Sequence, residues 1–590
     1  MHLCRANHDH CNRSTRPMNW APSRLVDLSG PYPRLRTRAQ VPDTVEYLTL
    51  SHCWGKTNIL RLMKHTLVDF QREIPMSELT RTFRDAFRIT EDLGFHYIWI
   101  DSLCIIQDSD EDWKVESAAM GDIYAHGELN IAAAAAEDGR AGCIIDRDQR
   151  KLAPLHIDIP KRPLHKTLKA GFSDFKTAGA VATIKPGRYC CVDSQLWQRD
   201  IVRSPLGRRG WVCQERLLAK RILYFGQRQL FFECAMWQYC EQYPVLLPGQ
   251  LGVGASRIKA RSPAALNLII DRLPRELQQD TRARDRAALT SWCEMIHAYS
   301  GLDLTYGTDK LVAASGVARY VKEKIESQYL AGLWRRDLLE QLLWYNPRQV
   351  ALLRPEQYQA PTWSWASVKG QVTCDAQYAL EPVTEWPKKH PSYLRSVLAE
   401  VVDAHVTLND DRYPFGKVKD GHLLISGRLI KVNVQRREPS DYGAVSWATA
   451  VDKSKDFTIE WFRDAVNDWT PGTTDSTFVL PLLAYLKDTR TEKPNTVFDN
   501  SGLSQVLSGL ILGSVGMDCG PLRRLGFFEL RPKRVSVVQT SSRTAKVVRE
   551  HSAWDVIVSA HDRDNLPHDV CSFYEEALYN GKMEKVVRII

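Results

Sequence analysis

Between Tyr47 and Gly142, short apolar runs end abruptly in polar residues, and the stretches between them carry helical periodicity. The first run is Tyr47-Leu48-Thr49-Leu50-Ser51, followed by His52-Cys53-Trp54-Gly55; the second opens as Tyr97-Ile98-Trp99-Ile100 and continues through Asp101 and Cys104 to Gln107. Phe83, Ala86, Phe87 and Ile89 recur near helical spacing, and Gly94 is placed to stop that helix. The pattern predicts strand 47–51, helix 79–93, strand 97–105, helix 111–124 and strand 129–135. Strands alternating with helices of this length form βαβ units, so the expected fold is a small, doubly wound, flavodoxin-like α/β core with a parallel sheet, ending near Gly142. Such sheets bind ligands at the carboxyl ends of their strands.

The candidate site residues follow from that placement. A glycine turn after the first strand would present backbone N–H groups and a hydroxyl to an anion, which nominates Ser51, Trp54 and Gly55 for ligand binding, with Lys56 adding charge. The regular glycines of a Walker or Rossmann loop are absent. Gln107, closing the second apolar run, joins this binding set. Asp101 in so apolar a context must be paired or hydrogen-bonded, to a ribose hydroxyl or a neighbouring Arg. If the second strand runs regularly, Trp99, Asp101 and Leu103 share one face and Cys104 lies on the other. Cys104, with His52 as its base, is a candidate nucleophile, weighed against the commoner inert, buried thiol. Farther along, Trp211 and Glu215 fall one helical turn apart, so Glu215 either meets the sheet edge or pairs with Arg208 or Arg209.

A chain of 590 residues exceeds what one core organises, and two or three domains are expected. The pattern divides it into an N-terminal Cys/His segment (1–40), the α/β core (41–145), an extension that is irregular and then helical (146–370), and a β-rich C-terminal domain (371–590). In the helical part Trp292, Met295, Ile296 and Tyr299 share a face. Cys4, His8, His10 and Cys11 offer four zinc ligands, but not at the spacing of a recognised finger, so no metal is assigned and the question stays open. The excess of 79 Lys and Arg over 70 Asp and Glu is modest. Basic density near Arg282–Arg286 and between Arg531 and Arg549 reads as solvated surface, not as a nucleic-acid interface. No run approaches the roughly 20 apolar residues of a membrane-spanning helix.

The strand ending in Ser51-His52-Cys53-Trp54-Gly55, then Trp99-Ile100-Asp101-Ser102-Leu103-Cys104-Ile105-Ile106-Gln107, then Asp112-Trp113 with Glu116, Met120 and Tyr124, resembles the fungal heterokaryon-incompatibility (HET) domain. The likeness continues at Arg209–Arg216, Phe231–Cys234 and Pro361–Ala366, and the N-terminal Cys/His word is similar to one often found in HET-type proteins. The resemblance implies non-self recognition and programmed cell death in a filamentous fungus, with the core as effector and recognition falling to the C-terminal region or a separate partner; a protein partner or self-association is expected. The HET domain is similar in element order to the TIR domain, whose enzymes carry a glutamate on the corresponding helix that supports cleavage of nicotinamide glycosides. By position this implies Glu116 as a catalytic residue beside Asp101, and NAD as the substrate. The plainer use of Glu116 is a surface or capping charge favoured near a helix N-terminus by the dipole. Two other functions fit the same residues: an accessory protein or enzyme of a fungal secondary-metabolite gene cluster, and a non-catalytic interaction module.

Several of the fourteen cysteines sit inside apolar runs, as Cys104 does, and the chain begins without an apolar secretory stretch. Both facts favour the cytoplasm and free thiols. A maleimide count in denaturant without reductant is expected to find all fourteen free; a clear shortfall in protein kept from air would contradict this.

Overall fold

The computed structural model describes residues 1–12, 20–56, 58–147, 152–153, 155–159, 186–191, 193, 195–244, 266, 270–271, 275–346, 352–374, 396–427, 429–436, 448–452, 457–465, 477–488, 503–514, 521–530, 576–579 and 582–590. The basic stretch 531–549 lies outside them. In chain order the N-terminal half contains helices α1 (His2–Asn7) and α2 (Asp9–Asn12), strands β1 (Arg24–Asp27), β2 (Arg34–Thr37) and β3 (Leu48–Ser51), and helices α3 (Leu67–Arg72) and α4 (Arg81–Asp92). These are followed by β4 (Tyr97–Trp99), α5 (Asp101–Cys104), α6 (Asp110–His126), β5 (Leu129–Ala132), the separate ladder of β6 (Leu155–Ile159) with β7 (Gly187–Cys191), then α7 (Gly210–Leu218), β8 (Arg221–Phe225), β9 (Leu230–Cys234) and β10 (Gln238–Cys240).

Eight of these strands form one sheet in the order β10-β9-β8-β5-β3-β4-β1-β2. Its centre, β4-β3-β5-β8, is parallel, with Leu48 opposite both Ile98 and Leu129, and Asn130 opposite Ile222. The outer strands pair antiparallel. The α/β class with a parallel-containing sheet is thus the observed one. The sheet does not close at Gly142, however: β8 to β10 extend it from the far side of β5, whose outer edge would otherwise expose a row of unpaired backbone groups.

Local chemistry sets the crossovers. Thr80 caps α4 by accepting from the Phe83 N–H, the helix buries Phe83, Ala86, Phe87 and Ile89, and Gly94 at φ 81° lets the chain turn away. Ser109 caps α6, whose first turn carries Asp110, Glu111 and Asp112 where the dipole favours them. The expected strand 97–105 breaks at Trp99. Asp101 opens α5 instead, its Oδ1 accepting from the Ser102 N–H at 2.7 Å, so the strand alternation of Trp99, Asp101 and Leu103 does not exist. A short Asp side chain that bonds its own backbone competes with the ladder, and here it wins.

The extension packs onto the core. Helix Thr281–Tyr299 buries Trp292, Met295, Ile296 and Tyr299, the face read from the sequence. Helix Ser315–Lys322 crosses α6 where two glycines meet: a Cβ on Gly121 would lie 2.7 Å from the Gly316 Cα. Arg319 clamps the crossing to Asp122 at 2.7 Å. The C-terminal half is a separate eleven-stranded sheet, antiparallel save for one pairing, running from Ser396–Val397 to Lys582–Ile589. Arg524, fully buried, ties it to the rest: it bonds Asp464 at 2.7 Å, donates to the carbonyls of Leu342 and Trp344, and lies over the Trp344 ring at 3.6 Å. Among the described residues no helix is long and apolar enough to cross a membrane.

The crossing of α6 with Ser315–Lys322 has no room for a methyl group, because the obstacle is backbone. Gly121→Ala is expected to lower unfolding stability by roughly 1–3 kcal/mol, the usual cost of overpacking, read as a drop in denaturant midpoint; an unchanged midpoint would mean that the helices do not cross so closely.

Candidate functional site

The carboxyl end of β3 meets the middle of α7 at a buried polar network. Ser51 donates to the Glu215 carboxylate, the Asn130 amide of β5 donates to Ser51 Oγ at 2.8 Å, and Thr49 donates to Asn130 Oδ1 at 3.0 Å. Tyr124 of α6 closes the group by donating to the Leu50 carbonyl at 3.3 Å. Thr49, Ser51, Asn130, Tyr124 and Glu215 are all buried, so each polar group must find its partner within the protein. Burial pushes the Glu215 carboxyl up to about 7; the Ser51 hydrogen bond and Arg209 pull it down, and Asp101 pushes it up further. The result is a carboxyl that changes protonation near neutral pH at the place where open α/β sheets bind ligands.

His52, Trp54 and Asp101 form the rim. The His52 ring packs edge-on to Phe83, its Nε2 lies 3.9 Å from Asp101 Oδ1, and its carbonyl accepts from Arg209. Burial lowers the His52 pKa to about 4, against the pull of Asp101, so the imidazole is neutral at physiological pH. Trp54 Nε1 donates to Asp101 Oδ2 at 2.9 Å. Asp101 is therefore hydrogen-bonded, with Trp54 and the Ser102 N–H as its partners. Both Trp54 and Asp101 remain partly exposed, as does Arg209, while Lys56 and Arg208 are open to solvent. Gly55, at φ 63°, stands against Asp138, whose Cβ would lie 2.4 Å from any Cβ on the glycine. That close approach, and the positive φ, account for a glycine here without an anion. Gln107 spends its amide nitrogen on the carbonyls of Asp101 and Ile105, at 3.2 and 3.1 Å, and so closes the loop that follows α5.

Glu116 is not the surface or capping charge of the plainer reading. It is buried, and Arg24 of β1 stands 3.3 Å away while also holding Asp112 at 2.6 Å and donating to the Cys104 carbonyl at 2.6 Å. Burial raises the Glu116 pKa, with the Ser23 hydrogen bond and Arg24 opposing. In the sheet, β1 and β3 are separated by β4, so the Arg24 cluster and the Ser51 network are distinct groups. Cys104 is fully buried and burial pushes its thiol up to about 12, which leaves almost no thiolate at neutral pH. Its surroundings favour the inert alternative.

The network brings together residues that the sequence reading left apart. Asn130 was outside the site set, although a lone amide within Leu129-Asn130-Ile131 is a signal that something must satisfy it. Glu215 takes the first of its two expected roles, the sheet edge, with Arg209 close enough to act on it electrostatically. Elsewhere, Cys4, His8 and Cys11 gather with Cys234, while His10 turns to Asp271 at 3.9 Å.

A parallel-centred sheet carries this network at its carboxyl edge, and the motif words read from the sequence lie in that α/β core. Residues 47–215 match the family model described as heterokaryon incompatibility protein (HET). The chain thus carries a HET domain, which implies a role in heterokaryon incompatibility. No curated protein and no solved structure matches the chain.

The raised Glu215 carboxyl has a measurable consequence. Its folded pKa lies above the unfolded value near 4.3, so the native state holds the extra proton and stability falls as pH rises from there to about 7, then levels off. Glu215→Gln removes that fall. Unfolding free energies measured between pH 5 and pH 8 should therefore converge toward acid and separate toward neutral pH, the variant being relatively favoured there; parallel curves would show that the carboxyl is not held in this environment.

Proposed function

We propose that the HET domain is the effector part of the incompatibility response, driving cell death after non-self recognition, and that it does so by hydrolysing the nicotinamide–ribose bond of NAD. The observation that carries this reading is the Glu215 carboxyl, buried, hydrogen-bonded to Ser51 and raised to about 7 at the carboxyl end of parallel strands. Cleavage of that bond releases neutral nicotinamide and leaves positive charge on the ribose, which a nearby carboxylate stabilises. Water then attacks the ribosyl carbon, and its proton passes to a base. A carboxyl with a pKa near neutral supplies both functions, charge when ionised and proton acceptance as water adds. The partly exposed Asp101 suits ribose hydroxyls, Trp54 offers a ring face for a base, and Arg208 and Arg209 offer positive charge for the pyrophosphate.

In this reading Glu215 takes the role that resemblance to TIR-like enzymes gave to Glu116, because Glu116 is already engaged by Arg24, which it shares with Asp112. One observation favours the interaction-module alternative: Ser51, His52 and Glu215 are each less than 10% exposed, so a substrate needs the rim at Trp54 and Arg209 to move.

The test is nicotinamide release from NAD by the purified full chain, dilute and concentrated, since self-association is an expected route to activation. Glu215→Gln should lower release by roughly two to three powers of ten, and Glu116→Gln should leave it within a few-fold of the parent. The reverse pattern would move the chemistry to the Arg24-paired carboxyl. Undetectable release at both concentrations would remove the enzymatic reading and leave a domain that acts by contact.

A further inference from the structure

We propose that Cys4, His8, Cys11 and Cys234 hold a structural zinc ion that fastens the N-terminal segment to the edge of the eight-stranded sheet. The donor atoms of these four residues lie within 4.8 Å of one another, and all four residues are buried. His8 Nδ1 stands 3.6 Å from Cys234 Sγ and 4.0 Å from Cys11 Sγ. Tetrahedral zinc with Zn–S near 2.3 Å and Zn–N near 2.0–2.1 Å separates nitrogen and sulfur ligands by about 3.6 Å and sulfur pairs by about 3.8 Å. The side chains are already close to that spacing.

Each ligand is placed by local structure. Cys4 and His8 are one helical turn apart, with the His8 N–H on the Cys4 carbonyl at 3.1 Å, and the Cys11 N–H returns to the His8 carbonyl at 3.0 Å. The fold of α1 and α2 thus turns three donors toward one point. Cys234 arrives from the end of β9, at the turn where the Trp237 N–H donates to its sulfur at 3.4 Å. The fully buried Arg221 approaches Cys4 Sγ with Nε at 3.2 Å. Donors aimed at sulfur are the usual support of a metal thiolate.

Charge and stability point the same way. Three thiolates and Zn²⁺ carry a net charge of about −1. Around them Arg5, Lys220 and Arg221 share two carboxylates, Glu46 and Glu128, which leaves one positive charge over. Beyond the ion pairs of Arg5 and the Arg221 bond to the Asn12 side chain, the segment has a small interior: α1 and α2 are six and four residues long, far below what is stable alone, and the buried residues of the segment are Cys4, His8 and Cys11. Metal ligation supplies folding free energy where an apolar face is missing. The spacing within Cys4–Cys11 matches no recognised finger because the fourth ligand comes from a distant strand, and His10, one of the four candidates in the sequence, is not among the ligands.

The experiment uses the full chain, purified under reductant after growth with zinc. Elemental analysis is expected to give about one zinc per chain. Replacement by Co²⁺ should give the intense visible bands of a tetrahedral site and a near-ultraviolet sulfur-to-cobalt band. Cys234→Ser should weaken zinc retention against a chelator by at least about tenfold, whereas His10→Ala should retain the metal. The cobalt titration of the parent protein decides the matter even if a variant fails to fold. A reduced parent protein that takes up neither zinc nor cobalt overturns the proposal, as does peptide mapping that finds two of the three cysteines joined in a disulfide in protein kept from air, or loss of metal in His10→Ala with retention in Cys234→Ser.

Discussion

The buried pair between Arg216 and Glu233 positions most of what matters in the N-terminal half. Arg216 of α7 grips both oxygens of Glu233 on β9 at 2.8 Å, and Tyr224 of β8 and Gln238 of β10 donate to the same carboxylate at 2.6 and 2.8 Å. Glu233 is fully buried and Arg216 nearly so. Removing two charges from water is expensive, and the cost is offset only when geometry and the remaining hydrogen bonds are complete, as they are here. One consequence is a fixed rotation of α7. Adjacent helical side chains diverge by about 100°, so with Arg216 pinned to β9, Glu215 is turned to Ser51 and Gln214 to the Gly316 N–H. A single helix thereby serves the sheet, the polar network and the extension.

The same device recurs wherever parts of the chain meet. Arg24 binds β1 to the start of α6 through Asp112 and Glu116, and Arg524 binds the C-terminal sheet to the loops at Leu342 and Trp344 through Asp464. In each case a planar guanidinium satisfies two or more acceptors at once, which suits Arg and not Lys. Against this background Glu215 stands out. Glu116 and Glu233 each face a guanidinium at hydrogen-bonding distance, whereas Glu215 accepts from a neutral hydroxyl and feels Arg209 only through space. An under-neutralised buried carboxyl is costly to keep, and sites that tolerate the cost are often functional.

Adjacent residues of one strand also link the polar network to the cysteine cluster. Glu233 anchors α7, and the next residue, Cys234, joins Cys4, His8 and Cys11. Arg221, at the start of β8, reaches Cys4 while its strand pairs with β5, the strand that carries Asn130. The N-terminal segment is therefore packed against the strands that form one side of the candidate site.

Much of the fold was legible because its signals are local. The period-3.6 pattern of Phe83, Ala86 and Phe87, the cap at Thr80 and the stop at Gly94 depend on neighbours within a few residues, and α4 follows from them. The face of the helix Thr281–Tyr299 and the β-rich character of the C-terminal half were legible for the same reason. The break of the second strand at Asp101 was not, since an apolar run of that length reads equally as strand or short helix until the Asp side chain chooses its backbone partner. For the site, the sequence by itself marked the words: Ser51 to Gly55, Asp101, Glu116 and the Gln214-Glu215-Arg216 cluster. Which carboxyl is clamped and which is left under-neutralised was decided only in three dimensions, because desolvation and pairing depend on Arg24, Arg216 and Asn130, residues brought from other strands and helices. So too for the cysteine–histidine cluster: three of its members, Cys4, His8 and Cys11, were visible in one short stretch, and the fourth, Cys234, is fixed by a strand pairing that no local pattern encodes.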